Sequence, residues 1–404
     1  MNFFKVKTLD EAKQIVISNL PQNILTGDFV HIENALSSVA VEDIIACEQL
    51  PPYNRSTVDG YAVLAQDIYG ASESVPSILK VCGKVKMGEA PTQKLEKNCA
   101  IAIATGAVVP DGANAVIMIE HTEMLNGEIA VYQPAAVHEN IIMRGEDIGK
   151  GDIVATSGEK LSPLKLGILA GLGVQKIKTF SAPKIAIIST GDELVGIEDI
   201  AQNGKIRDIN STIIASLSRN SGFEVVKQMR VKDDKNAILT AVQNGVEVAD
   251  IVLISGGSSV GARDFTEAVL SELGEVLVHG IALKPGKPTM VAKVKNSLVF
   301  GLAGHPLAAA LTFKVLVEDV IMSARGQAKK SLCIARTLSN FPSASGRTTI
   351  QPVALSESEE GIFAQPVFLK SAHIAQLAKA DGYIILPDNC EGIKKGEQVK
   401  VFAL

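Results

Sequence analysis

Between residues 184 and 256 the chain alternates two hydrophobic periods, and this alternation restricts the fold more than any other feature. The run KIAIIS, a segment with helical spacing near 211–221, the run FEVVKQMRV, a second helical segment near 235–248 and the run DIVLIS follow one another as βαβαβ. Strands as apolar as KIAIIS and DIVLIS must be covered on both faces, and parallel neighbours need a helical crossover, so the pattern implies a mostly parallel sheet between helix layers. Three further runs, VLVHGIAL, TMVAKV and SLVFGL, precede a long helix predicted from about Pro306 to Ser323. Residues 181–327 are therefore expected to form one α/β domain.

On either side the period changes. Thr8-Leu9-Asp10-Glu11, followed by Ala12, Ile15, Val16 and Leu20, reads as a capped amphipathic helix stopped by Pro21. This 1–27 segment is expected to rest on the α/β domain despite its distance in sequence. Residues 47–150 fall into short apolar or alternating runs separated by Gly, Pro, Asn and Asp, which predicts a β-rich domain. Residues 151–180 carry a strand and a helix opened by Ser162-Pro163, and together with 28–46 they are expected to form a small connector domain. From 328 to 404 short strands and turns return, predicting a C-terminal β-barrel, with a sandwich as the alternative.

Length allows this division, since 404 residues suffice for two to four cores. With 47% hydrophobic and 21% charged residues the chain has the balance of a folded globular protein, not of a disordered one. Its 39 basic and 44 acidic residues give −5, the wrong sign for retention on nucleic acid by the overall field, which leaves room for local basic sites. The 34 glycines beside no tryptophan indicate many turns and few platforms for stacking bases. Five cysteines, Cys47, Cys82, Cys99, Cys333 and Cys390, contain no CxxC pair and are odd in number, so no disulfide framework and no zinc ribbon is expected, and a reducing cytoplasm fits. The first thirty residues carry charges throughout, unlike an export signal. The uncharged window 296–313 holds two glycines and His305-Pro306, so it is read as buried strand, loop and helix start, with no membrane span.

Ligands of open α/β sheets bind at the carboxyl ends of the strands, where glycines admit the backbone and helix N-termini favour anions. Three such ends are polar here: Thr190-Gly191-Asp192-Glu193 after KIAIIS, Gly256-Gly257-Ser258-Ser259 after DIVLIS, and Lys284-Pro285-Gly286-Lys287-Pro288 after GIAL. Each alone reads equally as a turn, a helix cap or a solvated loop, whereas three in one sheet point to a cleft. Gly257 to Gly261 also fits GxSxG, which makes a serine hydrolase using Ser259 a rival reading, although two glycines between strand and serine form a looser loop than a nucleophile elbow. No dinucleotide GxGxxG or P-loop is present. In the β-rich part, Asp59-Gly60, Thr105-Gly106 and Arg144-Gly145-Glu146-Asp147 read individually as turn chemistry.

Taken together, seven ordered segments, PPYNRSTVDGYAV, ATGAVVPDGANAVIMIE, NIIMRGEDI, PKIAIISTGDEL, SGGSSVGARDF, LKPGKPTM and SAHIAQLAKADGYIILP, resemble the molybdopterin molybdenumtransferase family, which comprises MoeA and the C-terminal part of gephyrin and its plant counterpart. The resemblance implies an elongated four-domain protomer, α/β plus β, with a molybdopterin-binding α/β domain. It also implies a homodimer whose cleft lies between the α/β domain of one subunit and the β-rich domain of the other. The implied reaction takes adenylylated molybdopterin and molybdate to molybdenum cofactor and AMP with Mg²⁺. The molybdopterin adenylyltransferase and cofactor-accepting apo-enzymes are the implied protein partners.

Carried over by position, Asp59 matches a catalytic or metal-positioning residue acting across the dimer, while Thr105 and Arg144 match substrate contacts. Glu193 and Asp264 match acidic cleft residues for Mg²⁺ and pyrophosphate cleavage, and Asp233 matches a further acidic one. Thr190, Gly191, Asp192, Gly256, Gly257 and Ser258 are expected to contact the pterin or its phosphates. Lys284 and Lys287, followed by Pro288, match the molybdate lysines, with Arg347 and Ser371 as further oxyanion ligands. Carboxylates suit a hard cation and basic groups suit a tetrahedral dianion.

Five positions depart from the family pattern: Ala308 lacks an expected hydroxyl and His305 replaces an amide, Ile209 interrupts Asp208-Ile209-Asn210, and Gly280 and Pro352 stand where basic residues are usual. They motivate two alternatives, a non-catalytic pterin-binding scaffold and an insertase preferring tungstate.

Overall fold

The computed structural model describes residues 6–256, 262–367 and 374–404, the side chains of 262–264 excepted. Helix α1 (Leu9–Asn19) begins with a capping box, in which Glu11 N–H donates to Thr8 Oγ1 (3.2 Å) and Thr8 N–H to Glu11 Oε2 (2.8 Å). Its buried face, Leu9, Ala12 and Val16, joins the same core as Ile185, Ile187 and Phe300, so the helix covers the α/β sheet.

The connector brings together two short antiparallel pairs, Gly27–His31 with Lys176–Phe180 and Ile44–Ile45 with Ile153–Ala155. Helix α2 (Pro163–Gly171) completes it, capped by Ser162 with Pro at the first position, over a core that includes Ala46, Leu161, Leu169 and Ile177.

Between these halves lies the β-rich sheet: β1 (Gly60–Val63), β2 (Ser77–Val85), β3 (Cys99–Ile103), β4 (Ala115–Met118), β5 (Thr122–Leu125) and β6 (Glu128–Val131), in spatial order β4-β1-β3-β2-β6-β5. Both faces are covered, because Tyr61 and Val63 enter one core while Ala62 enters the other. One expectation fails here: Cys82 of β2 and Cys99 of β3 form a disulfide. The strands are parallel, and the register shift between Val81 and Gly83 places Cys82 beside β3. A contact set by non-local pairing leaves no mark in cysteine spacing, and the spacing argument for a reducing compartment falls with it. Cys47, Cys333 and Cys390 are free.

The α/β sheet contains β7 (Lys184–Thr190), β8 (Glu224–Val231), β9 (Ile251–Gly256) and β10 (Glu275–His279). A short strand β11 (Leu283–Lys284) then leaves it, and β12 (Met290–Val294) and β13 (Ser297–Leu302) return. The order is β8-β7-β9-β13-β12-β10, with the first four strands parallel, β12 antiparallel to β13 and β10 antiparallel to β12. Alternate residues serve opposite layers: Ile185 and Ile187 face the core shared with α3 (Asn210–Asn220), and Ala186 and Ile188 face that of α4 (Lys235–Val246) and α5 (Ala262–Leu273). Each fully buried Ile, Leu or Phe contributes about 1.5–3 kcal/mol. The long helix predicted from Pro306 is three segments, α6 (Pro306–Thr312), a π-helical stretch Phe313–Glu318, and α7 (Asp319–Ala324).

The C-terminal region is a barrel, not a sandwich. Strands β14 (Cys333–Thr337), β15 (Thr348–Ser358), β16 (Gly361–Pro366), β17 (Gly382–Leu386) and β18 (Gln398–Ala403) pair in the cycle β15-β16-β14-β18-β17-β15. Closure removes the exposed edges that such short strands would otherwise present. No helix among the described residues is long and apolar enough to cross a membrane.

Candidate active site

Strands β7 and β9 end side by side, Thr190 opposite Gly256. Gly256 has φ +142°, and a Cβ there would lie 2.0 Å from Thr190 O, so this strand end accepts glycine alone. Thr190, almost wholly buried, donates from Oγ1 to Asp233 Oδ1 at 3.2 Å, and Asp233 N–H donates to Asp192 Oδ1 at 3.3 Å. The β7 and β8 ends thereby gather Asp192, Glu193 and Asp233. Burial pushes the Asp233 carboxyl above its ordinary value, the Thr190 hydrogen bond opposes this, and the charges of Asp192 and Glu193 reinforce it.

These strand ends open on a cavity of about 170 Å³ whose lining includes Thr190, Gly191, Glu193, Asp233 and Gly256. Sequence reasoning about site roles missed several of its other walls. Ser189 and Ser255 stand one residue before the strand ends, as the polar last residues of the runs KIAIIS and DIVLIS, a signal present in the sequence. Asn210 donates from Nδ2 to Ser255 Oγ (2.8 Å) and Gly304 O (2.7 Å), and Asp208 Oδ1 accepts from Ser211 N–H (3.1 Å) at the start of α3. Ser189 Oγ and Asn210 Oδ1 are buried without a hydrogen-bond partner. Gly257 and Ser258 lie outside the described residues, as do Ser259 of the GxSxG reading and the side chain of Asp264.

The lysine loop is placed differently from expectation. The apolar pattern of VLVHGIAL predicts one strand of the α/β sheet, but the run divides at Gly280, whose φ is +87°. β10 stays in the α/β sheet, and β11 pairs in parallel with the barrel, Leu283 opposite Thr348 and Lys284 opposite Thr349. Gly280 takes that turn at a positive φ, a conformation in which a side chain would be strained. Arg347, immediately before Thr348, is thus carried to the Lys284–Lys287 loop by strand addition, and all three side chains are exposed. Ile281 N–H donates to Lys287 O at 3.0 Å, closing the loop, with Pro288 half-buried next to it. Ser371 lies outside the described residues. Ala308 is buried within α6, and His305 caps that helix without a side-chain hydrogen bond.

A third group sits on the β-rich sheet. Thr105 N–H donates to Asp59 Oδ1 at 2.9 Å across 46 residues of sequence, and Arg144 N–H donates to Asn54 Oδ1 at 2.8 Å. Asp59, Thr105 and Arg144 are exposed, and none of them lines the strand-end cavity. Within one chain the predicted residues therefore fall into three clusters. Among the described residues, no group of three or more His, Cys, Asp or Glu is arranged to hold a metal ion.

Comparison with known proteins covers the regions that carry all three clusters. Residues 7–173 match the model of the MoeA N-terminal region (domain I and II), 186–323 that of a probable molybdopterin binding domain, and 335–404 that of the MoeA C-terminal region (domain IV). The chain belongs to the MoeA family. A molybdopterin molybdenumtransferase of Haemophilus influenzae is 33% identical, with 98% of each chain covered, and a putative molybdopterin biosynthesis protein of Methanocaldococcus jannaschii is 36% identical over the same share. Among solved structures, a molybdopterin biosynthesis MoeA protein from Pyrococcus horikoshii superposes with a TM-score of 0.84 at 38% identity, covering 99% of both chains. The family's division into N-terminal, molybdopterin-binding and C-terminal regions corresponds to the β-rich sheet with its connector, the α/β sheet, and the barrel. The serine hydrolase reading has no place in this family.

Proposed function

We propose that this chain is a molybdopterin molybdenumtransferase, which inserts molybdate into adenylylated molybdopterin and releases AMP in molybdenum cofactor biosynthesis. The observation that carries the reading is the β11–β15 pairing, which brings the Lys284–Lys287 loop and Arg347 together beside the α/β layer. Two ammonium groups and a guanidinium suit a tetrahedral dianion, with Ser371 as a further ligand by resemblance.

The strand-end cavity takes the pterin and its phosphates. Thr190, Gly191 and Gly256 offer a close backbone approach, and the unpartnered Ser189 Oγ and Asn210 Oδ1 add polar capacity. Mg²⁺ is commonly held by one or two carboxylates together with substrate phosphates, so Glu193 would hold it at the cavity wall, with Asp264 as a second carboxylate by resemblance. When bound it polarises the phosphate linkage that is cleaved. Asp192 and Asp233 hold the acidic end of this cleft in place through their mutual hydrogen bond.

Asp59, Thr105 and Arg144 act from the second subunit of a homodimer. Their absence from the cavity wall supports this, as do the apolar side chains that the connector leaves in solvent, among them Phe29 (69% exposed) and Leu164 (82%). The adenylyltransferase that supplies the substrate and the apo-enzymes that receive the cofactor are the partners of such a step. A non-catalytic scaffold is not favoured, because Lys284, Lys287, Arg347, Asp59 and Glu193 are all retained.

The test is AMP release from adenylylated molybdopterin with and without molybdate, with tungstate as the parallel oxyanion. Release is expected to depend on the oxyanion and to fall at least about 100-fold in Lys284→Ala. Release at the normal rate by that variant would remove the lysine loop from the mechanism.

A further inference from the structure

The barrel is tied to the α/β layer at two places far apart in sequence. One is the β11–β15 edge, where Thr348 N–H donates to Ala282 O at 2.9 Å. The other is the linker that follows α7. Lys329 folds back there, donating from Nζ to Asp319 Oδ2 on α7 and, at 3.0 Å, to the hydroxyl of Tyr383 on β17. The same ammonium lies 5.1 Å from the centroid of the Tyr383 ring and 4.5 Å from that of Phe402 on β18. Asp319 also pairs with Lys13 of α1 at 3.5 Å. One side chain thus touches the α/β layer and two barrel strands at once.

Four residues earlier, Arg325 grips the chain on both sides of the connector. Its guanidinium donates to Ile24 O (2.9 Å) and Ser181 O (2.6 Å) and lies 5.0 Å from the Phe180 ring centroid. The linker is therefore held at its start, and Lys329 transmits that fixed position to the barrel.

A body attached along one edge can rock about that edge, and a second attachment off the axis removes the motion. The apolar contacts between barrel and α/β layer, which include Tyr383 and Ile350, resist separation, but hydrophobic contact is non-directional and permits sliding. A cation above two rings and hydrogen-bonded to a carboxylate and a phenol has a defined geometry. We infer that Lys329 is a positioning residue, which fixes the angle of the barrel so that Arg347 stays at the Lys284–Lys287 loop. This rests on the proposed reading of that loop as the oxyanion site.

Two variants separate positioning from mere support. Lys329→Met keeps the aliphatic stem and removes the charge, and Lys329→Arg restores a cation. In molybdate-dependent AMP release, Lys329→Met is expected to raise the KM for molybdate about tenfold while kcat and the KM for adenylylated molybdopterin stay within about twofold. Lys329→Arg should recover most of the loss. Independently of activity, hydrogen exchange at the Thr348 amide should accelerate about tenfold in Lys329→Met, with the amides of β7 and β9 unchanged. Phe402→Leu, which removes one ring from the ammonium, should shift both readouts in the same direction and serves where Lys329→Met does not fold. An unchanged molybdate KM or an unchanged Thr348 exchange overturns the proposal. If the wild-type protein shows no molybdate-dependent release, the functional reading fails, and the exchange result alone decides whether Lys329 holds the joint.

Discussion

Asp233 illustrates how the strand ends load their carboxylates. Burial is the main reason its carboxyl titrates above the ordinary 3.8, and Asp192 and Glu193 add to it against the Thr190 hydrogen bond. The folded state therefore binds this proton more tightly than the unfolded chain does. The stability it contributes is fully present below the unfolded value and is lost as pH rises through the higher folded value. In the metal-free protein, Asp233→Asn should flatten the melting temperature against pH across that window and leave it unchanged at lower pH. A thermal melt series on both proteins checks this, and an equally steep wild-type and variant profile would remove Asp233 from the acidic group. The residue types of this cluster were legible, since TGDE and VKDD stand at the ends of apolar strands. The Thr105 to Asp59 hydrogen bond was not, because it joins two turns 46 residues apart that each read as ordinary turn chemistry.

At the scale of elements, hydrophobic periodicity carried most of the information. The strands KIAIIS and DIVLIS and the capped helices at Thr8 and Ser162 lie where local pattern puts them, because their apolar spacing and their caps are themselves local. Two elements escaped it. VLVHGIAL is largely apolar on both sides of Gly280, so nothing in its pattern reveals that Leu283 and Lys284 belong to the barrel sheet. The long helix hides its π-helical stretch in the same way. Within that stretch Lys314 and Glu318, each about 8% exposed, pair at 2.6 Å, and Glu318 Oε1 also accepts from Ser221 Oγ at 2.7 Å. Removing one partner strands the other charge away from water. Lys314→Met should therefore cost about 3–5 kcal/mol in denaturant unfolding. Adding Glu318→Gln should restore part of that loss, and equal stability of single and double variants would show that the pair is not the source.

The whole molecule poses the question that no single element answers, because the residues matched by the family segments form three clusters and only one of them lines the strand-end cavity. The succession of β-rich, α/β and barrel regions was legible from changes of period. The spatial relation between clusters was not, since it depends on strand exchange with the barrel and, in the proposed reading, on a second copy of the chain. A shared site makes a quantitative prediction about mixed dimers. Asp59→Asn and Lys284→Ala each inactivate both sites of their own homodimer. A heterodimer of the two assigns both changes to one site and leaves the other intact. Random exchange makes about half of the dimers mixed, each with one working site of two, so co-refolding the inactive variants should return about a quarter of wild-type AMP release. If Asp59 instead serves the Lys284 loop of its own chain, every site in every dimer carries one change, and mixing recovers nothing.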